Sequence, residues 1–504
     1  MLFNSYIFLL AYLPVTLVVF FLLGKKHYKA SIAFLGIASM VFYGWWSLEY
    51  VPILILSILY NFTFGILISR AGKRVSFFTP KRLLIAGVSG NILMLSFYKY
   101  FGFFLENIGM LFEMNIVPHI ISLPLGISFF TFTQISFLAD TYKGKAKEYD
   151  FSRYLLFVSY FPHLIAGPIL HHSEMMPQFA KSINGRFQSK NFSIGVAFFA
   201  IGLFKKVVIA DNIAPYSNII FNSATEVDLT IYEAWLGTLA YTCQIYFDFS
   251  GYSDMAVGLA RMMNIKLPFN FASPYQARNI VEFWRCWHMT LSRFLRDYLY
   301  IPLGGNRRGD MRRYANLMTT MVLGGLWHGA GWGFIVWGAL HGLYLSINHL
   351  TANIKLPFGA WLWRGVTLFC VAVAWVFFRA PTLESAASML RPMFFFNGIS
   401  LPERLAVQPL AALGEIDWIH FEGMFHNGLL DPVAAVTVIA LALLMALFAP
   451  NSQEIIDEVG RGRRPWVNSI AWKSPLVGGV ILGAAFATGF SLIGGETPFL
   501  YFQF

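Results

Sequence analysis

The residues best placed to do chemistry surround Trp327-His328-Gly329. They lie inside Leu317–Tyr344, a stretch with no Asp, Glu, Lys or Arg that begins just after Arg312 and Arg313. Histidine exchanges protons near neutral pH. In an apolar membrane segment it is costly to keep without a partner or a cavity, so it marks a functional site. At ~1.5 Å per helical residue, the fifteen residues from Arg313 to His328 place the imidazole near the bilayer midplane if the stretch crosses once. Gly324, Gly325, Gly329, Gly331 and Gly333 let helices break or approach closely, and they leave room beside the ring. The plainer alternative is a histidine donating one hydrogen bond to a carbonyl between packed helices.

A second constellation runs Glu282-Phe283-Trp284-Arg285-Cys286-Trp287-His288, then Leu291 to Tyr298 with Arg293, Arg296 and Asp297. Three-residue spacing puts Arg285 and His288 on one helix face, with Arg296 two turns beyond. An imidazole among guanidiniums suits a phosphate-bearing donor such as a coenzyme A thioester. Anchoring to anionic headgroups is the rival use. The third constellation, Tyr246-Phe247-Asp248-Phe249-Ser250-Gly251-Tyr252-Ser253-Asp254, holds two carboxylates among aromatics. Carboxylates so placed bind metal, pair with a cation or cap helices, and the last two uses are commoner. His171 and His172 are adjacent and so point apart on a helix, which disfavours a shared metal. His420 and His426 carry a weak signal, and no metal site is expected. No HExxH, phosphate-binding GxxxxGK[ST] loop or GxSxG elbow occurs.

The elements that must position these groups are membrane helices. Of 504 residues 57% are hydrophobic and only 12% are charged, against about a quarter in soluble chains. The formal charge of +11 does not indicate nucleic acid, because the basic residues sit in short loops between apolar segments, as the positive-inside rule expects. Cys243, Cys286 and Cys370 form neither a disulfide framework nor a zinc motif. Tyr6–Leu23 reads as a retained first span followed by Lys25 and Lys26. Ala30–Trp46, Val51–Ser69, Leu83–Phe104 and Ile120–Ala139 then alternate across the membrane, with Lys99 free to snorkel. Tyr154–Leu170 is broken by Pro162, Gly167 and Pro168 and reads as re-entrant or interfacial. Phe192–Phe204 reads as a short segment ending at Lys205-Lys206.

Residues 261–313 carry ten basic residues against Glu282, Asp297 and Asp310, so they read as a cytoplasmic amphipathic region lying along the surface. Gly365–Phe378, Pro432–Phe448 and Leu476–Ile493 are further spans, and residues 380–431 read as a long outer loop. The expected fold is an all-α polytopic membrane protein, one domain over 1–504. It has about eleven transmembrane helices plus re-entrant and interfacial helices, and both termini are outside.

Pro124-Leu125-Gly126-Ile127-Ser128-Phe129-Phe130-Thr131-Phe132, Ala166-Gly167-Pro168-Ile169 and Phe247–Asp254 resemble motifs of the membrane-bound O-acyltransferase (MBOAT) superfamily. So do Glu282–His288, Arg296-Asp297-Tyr298-Leu299-Tyr300-Ile301-Pro302-Leu303-Gly304-Gly305-Asn306 and Leu326-Trp327-His328-Gly329-Ala330. The resemblance covers nearly the whole chain. It is greatest to the bacterial branch with the alginate O-acetyltransferase membrane subunit and cellulose-acetylating homologues. Cys286 departs from the pattern, which has a second Arg after Arg285.

The resemblance implies that His328 is the essential membrane histidine and His288 the second motif histidine. It implies a helical bundle with funnels from both faces meeting near His328. Trp284, Arg285, Arg296, Asp297, Asn306, Trp327, Asp248 and Ser250 would bind the donor or line the tunnel. It implies cytoplasmic acetyl-CoA as donor substrate, no bound cofactor, and location in a bacterial inner membrane with periplasmic termini. The acetyl group would pass to an exported polysaccharide of alginate or cellulose type through a periplasmic acyltransferase partner, within an exopolysaccharide synthesis or export complex. Membrane lipid is a further partner. The alternatives are D-alanyl or other acyl transfer to an envelope polymer, and a transporter without chemistry. The Leu303-Gly304-Gly305-Asn306 run favours the polysaccharide branch.

The charge imbalance yields a topology test. A single cysteine at Arg307 should react with a membrane-impermeant maleimide only after the cytoplasmic face is opened. Labelling from the periplasmic face would reverse the assignment.

Overall fold

The computed structural model describes all residues except 72–77, 115–121, 148–149, 352–358, 397, 402–406, 408–409, 417, 422–430, 457–474, 495–498 and 501–504. His426, the acids Glu403, Asp417 and Glu422, and the basic residues Lys73, Arg74, Arg404, Arg461, Arg463, Arg464 and Lys473 therefore lie outside the described residues.

Apolar chain without water must satisfy its own backbone, and here it does so as helix. The first are α1 (Leu13–Lys26, preceded by a π turn at Phe8–Tyr12), α2 (Tyr28–Gly44), α3 (Val51–Arg70), α4 (Pro80–Lys99), α5 (Phe101–Leu111) and α6 (Ile127–Tyr142). Short pieces follow as α7 (Phe151–Ser159), α8 (Phe161–Leu164) and α9 (His172–Ala180), then α10 (Ser189–Leu203), α11 (Asp211–Ser223) and α12 (Ile231–Met262). The site region holds α13 (Ile280–Cys286), α14 (Met289–Leu295), α15 (Asp310–His328) and α16 (Trp332–Leu350). The chain continues through α17 (Ala360–Arg379), α18 (Leu383–Met393), α19 (Pro432–Phe448), α20 (Ser452–Ile456) and α21 (Pro475–Ser491).

Among the described residues, four helical stretches are long and apolar enough to cross a bilayer. They are Phe8–Lys26, Leu48–Arg70, Ser189–Ser223 and Ala360–Arg379, with a fifth if α4 and α5, bent by 64°, count together. The structure thus gives fewer full-length spans than the eleven expected. Other apolar segments are short, as α2 is, or carry polar groups because they face protein rather than lipid.

α12 shows this best. At ~1.5 Å per residue its 32 residues run about 48 Å. Residues 240–260 are buried without exception. A capping box starts it: the Thr230 hydroxyl accepts from the Glu233 amide, and the Glu233 carboxylate accepts from the Thr230 amide. α10 crosses it at backbone contact. A Cβ on Gly195 would strike the Gly258 carbonyl, and one on Gly202 the Gly251 carbonyl. Small residues permit such close approach in membrane bundles.

After Gly202 the helix widens into a π turn, Phe204–Ala210, and continues into α11. Lys205 and Lys206 therefore do not end a short segment. The Lys206 ammonium lies 2.7 Å from both Asp211 and Asp248, and Lys205 lies 2.7 Å from Asp254, which also accepts from the Ser452 hydroxyl. Ions left unpaired here would be costly, so these pairs fix the register of α10 and α11 on α12.

Three further expectations change. Leu317–Tyr344 does not cross once; α15 and α16 fold back as an antiparallel hairpin. Gly338 packs on the Met321 carbonyl, Gly342 on Met318, and Gly325 on the Phe334 carbonyl. The glycines thus serve close packing, and the space beside Gly329 is filled by the Phe334 ring. Residues 261–313 do not lie flat on a surface, since Phe283, Trp284, Trp287, His288 and Leu291 are buried in the bundle. Among the described residues, 380–431 holds helix and strand. Ala386 and Met389 of α18 are buried, and strand β1 (Ile399–Leu401) pairs in parallel with β2 (Ile419–Phe421), whose His420 is exposed. The Pro/Gly break around Gly167 is covered by protein on all sides, because residues 156–172 are all buried.

Gly251→Val should push α10 off α12. Overpacking costs about 1–3 kcal/mol even where side chains can yield, and a carbonyl cannot. The detergent-solubilised protein should melt several degrees lower, whereas Gly483→Val, whose Cβ meets nothing, should melt as wild type. Equal melting of the two variants would deny the backbone contact.

Candidate active site at the tip of a helical hairpin

α15 ends at His328 because Gly329 and Gly331 take extended backbone before α16 starts at Trp332. A helix end leaves its last carbonyls without intrahelical partners. Lys99 and Tyr100, at the bend between α4 and α5, supply donors. The Lys99 ammonium donates to the carbonyls of Trp327 at 2.7 Å and His328 at 2.8 Å, and reaches the Ser128 hydroxyl at 3.4 Å. The Tyr100 hydroxyl donates to the Leu326 carbonyl at 2.9 Å. A cation at a partly buried helix C-terminus contributes up to about 2 kcal/mol. Lys99 therefore does not snorkel outward; it holds the hairpin tip.

His328 is 4% exposed. Its ring lies 4.9 Å from Trp327, 5.1 Å from Trp337 and 5.1 Å from Phe378. A cavity of about 60 Å³ reaches it, bounded by Lys99, Gly126, Ser128, Ile165 and Trp327. That is room for about two waters or a group of similar size. Gly126, at φ +71, turns the chain into α6 where a Cβ would meet the Leu164 carbonyl, and so closes the cavity wall.

His288 comes from the other side. It is fully buried and adopts φ +39 between α13 and α14, costly for a residue with a Cβ and common at functional sites. Its ring sits 4.7 Å from Phe249 and 6.2 Å from Trp327. The expected shared face with Arg285 is not formed: α13 stops at Cys286, Trp287 is extended, and Arg285 is exposed.

A third imidazole went unnoticed in the sequence. His341 on α16 is fully buried, 4.8 Å from Trp337, and its Nδ1 accepts from the Trp284 indole at 3.3 Å. An indole only donates, so this contact requires an unprotonated Nδ1. The cost argument that picked His328 applies equally to His341, thirteen residues further along the same uncharged stretch.

The remaining candidates separate into two groups. Trp284 and Trp327 belong to the buried cluster, and Ser250 is buried on α12 beside Phe249. Asp248 instead pairs with Lys206 and accepts from the Leu500 amide at 3.0 Å, the commoner use of such a carboxylate. Arg285, Arg296 and Asn306 lie exposed and Asp297 is half-buried; Arg296, Asp297 and Asn306 belong to the Arg-rich end, residues 293–313. Arg296 spends its guanidinium on Asp297, at 2.7 and 3.3 Å. A run of rings lies between Tyr298 and Trp327: Tyr298 tilted on Phe294 at 5.0 Å, Phe294 stacked on Phe132 at 4.1 Å, and Phe132 stacked on Trp327 at 5.2 Å. The Tyr298 hydroxyl donates to Asp140 at 2.9 Å and lies 3.0 Å from the His171 Nδ1. Of the two funnels expected, the pockets described include one small cavity at His328, beside Lys99, and aromatic rings lie between Trp327 and Tyr298. Among the described residues no three His, Cys, Asp or Glu side chains gather as metal ligands.

Lys99→Met leaves the Trp327 and His328 carbonyls without that donor. The variant should melt several degrees lower and exchange amide protons faster across residues 320–328, read by hydrogen–deuterium exchange. Unchanged exchange there would show that Lys99 does not hold the tip.

Residues 127–383 match MBOAT, the membrane-bound O-acyltransferase family. The chain is 39% identical to a peptidoglycan O-acetyltransferase of Helicobacter pylori, over 100% of this chain and 98% of the relative. It is 40% identical to a probable alginate O-acetylase of Pseudomonas aeruginosa, over 80% of this chain and 76% of the relative. It is 31% identical to a teichoic acid D-alanyltransferase of Streptococcus thermophilus, over 44% of this chain and 56% of the relative. A buried histidine at a hairpin tip, the family match and the relatives together identify the chain as a member of the membrane-bound O-acyltransferase family, a multi-pass membrane O-acyltransferase.

Proposed function

We propose that the protein takes an acetyl group from cytoplasmic acetyl-CoA and passes it through the membrane for O-acetylation of an exported glycan. The observation that carries this reading is the position of His328. His328 lines the small cavity beside Lys99; its ring packs on Trp327, and Trp327 stacks on Phe132, whose contact with Phe294 continues to Tyr298, next to Asp297 and Arg296 at the Arg-rich end. An acyl donor bound at that end and an acceptor entering beside Lys99 would meet at this imidazole.

In the proposed step the acceptor hydroxyl attacks the thioester carbonyl, so a C–O bond forms and the C–S bond breaks. His328 takes the hydroxyl proton as general base and returns it to the departing thiolate. An acetyl-imidazole formed on His328 itself is the covalent variant. Lys99, fixed on the cavity wall, places a positive charge where the tetrahedral oxyanion develops. His288 positions the donor or assists the proton transfer. Arg285, Arg296, Asp297 and Asn306 form the donor entrance, and the Phe132–Phe294–Tyr298 rings must shift to admit the thioester.

The final acceptor is a polysaccharide outside the inner membrane; the hydroxyl acylated at His328 is the nucleophile of a periplasmic acyltransferase, which docks on residues 380–431 and passes the acetyl on. Peptidoglycan is placed first among polymers, because the relative named for it matches over the whole chain, against 80% for the alginate relatives. Alginate- or cellulose-type polymers are second. D-alanyl transfer is third, since the D-alanyltransferase match covers 44% of the chain.

His328→Ala should lower glycan acetylation by at least ~100-fold, the low end of general acid–base contributions. Protein level and elution profile should stay those of wild type. Mass spectrometry of O-acetyl groups on peptidoglycan and on secreted polysaccharide reads both the loss and the polymer. Wild-type acetylation in the variant would remove His328 from the mechanism.

A further inference from the structure

An apolar groove lies away from His328, between α1, α10 and α21. It has a volume of about 1240 Å³, above the ~300–1,000 Å³ usual for small-molecule pockets. Its walls are apolar, with Leu13 and Phe21 on one side and Phe192 and Phe486 on others. From Leu9 to Lys25 it follows sixteen residues of helix, about 24 Å at ~1.5 Å each. That exceeds half of a ~30 Å hydrocarbon core, so an acyl chain fits along it.

One end is basic. α1 touches the turn Ser182–Gly185 at backbone distance, because a Cβ on Gly24 would strike the Gly185 carbonyl. Their sequence neighbours Lys25 and Arg186 are thereby brought to the same end of the groove, and both line it. No carboxylate lines the groove, and among the described residues neither cation forms an ion pair. Arg186 is fixed through its carbonyl, which accepts from Asn264 at 2.9 Å. Asn264 and Arg293 both reach the segment 174–186, since Asn264 also donates to the Asn184 carbonyl and Arg293 pairs with Glu174 at 2.6 Å. The basic end therefore belongs to the Arg-rich end of the protein.

A long apolar trough closed by a lysine and an arginine is complementary to an amphiphile with an anionic headgroup. Arginine binds phosphate through two parallel N–H donors, and lysine adds a point charge. A soluble anion would use the cations and leave the trough empty; an uncharged or zwitterionic lipid would use the trough without neutralising the cations. We propose that this groove is a binding site for one anionic phospholipid, with its chains along α1, α10 and α21 and its phosphate between Lys25 and Arg186. The inference does not depend on the acyl-transfer reading.

Native mass spectrometry of the purified full chain tests it, with phosphatidylglycerol and phosphatidylethanolamine of identical chains supplied in equal amounts. Wild type should keep one phosphatidylglycerol at collision energies that strip phosphatidylethanolamine. It should also melt higher with phosphatidylglycerol than with phosphatidylethanolamine. Lys25→Gln with Arg186→Gln should reduce the retained phosphatidylglycerol at least tenfold and abolish the melting difference. Val196→Trp, which fills the groove and keeps both charges, should reduce retention equally. Equal retention of the two lipids by wild type would mean ordinary boundary lipid only and overturn the proposal. So would undiminished phosphatidylglycerol retention in the charge variant. If the charge variant does not fold, retention by Val196→Trp at the wild-type level overturns it and loss supports it.

Discussion

The carbonyls at the end of α15 must find donors in a place where water is scarce, and that requirement shapes the site. A helix that stops inside a membrane protein strands its last acceptors at several kcal/mol each unless protein supplies partners. Lys99 and Tyr100 supply them, and both sit at the bend where α4 gives way to α5. The bend and the hairpin tip therefore fix one another. His328 is the last residue of the helix so held, and its ring orientation follows from the cap together with Trp327, Trp337 and Phe378. The cation that caps the helix also lines the cavity, which joins the structural and chemical roles of one lysine.

α12 provides the fixed frame behind this tip. Its Phe249 touches His288, its Thr242 carbonyl accepts from the Tyr275 hydroxyl at 2.6 Å, and its acids bind the two lysines of the π turn. Those charges look misplaced in an apolar chain until they are seen in pairs. Each ion would be expensive alone; paired, and reinforced by Asp211, Ser452 and the Leu500 amide, they fix which face of α10 and α11 meets α12. Glycine contacts at Gly195–Gly258 and Gly202–Gly251 set the distance, and the ion pairs set the register.

Much of the fold was legible in the sequence. Composition and loop charge mark a helical membrane protein, and the cost of burying an imidazole marks His328, 4% exposed beside a cavity, but marks the fully buried His341 equally. Local periodicity misleads where tertiary packing overrides it. Nothing in Leu317–Tyr344 distinguishes one long span from a hairpin except its glycines, and their partners lie on the other arm. Arg285 and His288 have helical spacing, yet the chain breaks between them at Trp287 because His288 is drawn into the core at φ +39. Lys99 could be placed at the end of a span, but its partners are more than two hundred residues away. Asp248 could be given a cation as its commoner partner, but that the cation is Lys206, on another helix, shows only in the fold.

The proposed passage of acetyl from one face of the protein to the other at His328 is open to a direct test. Purified protein should be reconstituted in sealed vesicles of known orientation, with radiolabelled acetyl-CoA at the Arg-rich end and an acceptor confined to the opposite compartment. Label should appear on the acceptor with wild-type protein, with free coenzyme A released on the donor side, and neither should occur with His328→Ala. Acceptor labelled only when it shares a compartment with acetyl-CoA, or labelled equally without His328, would contradict it.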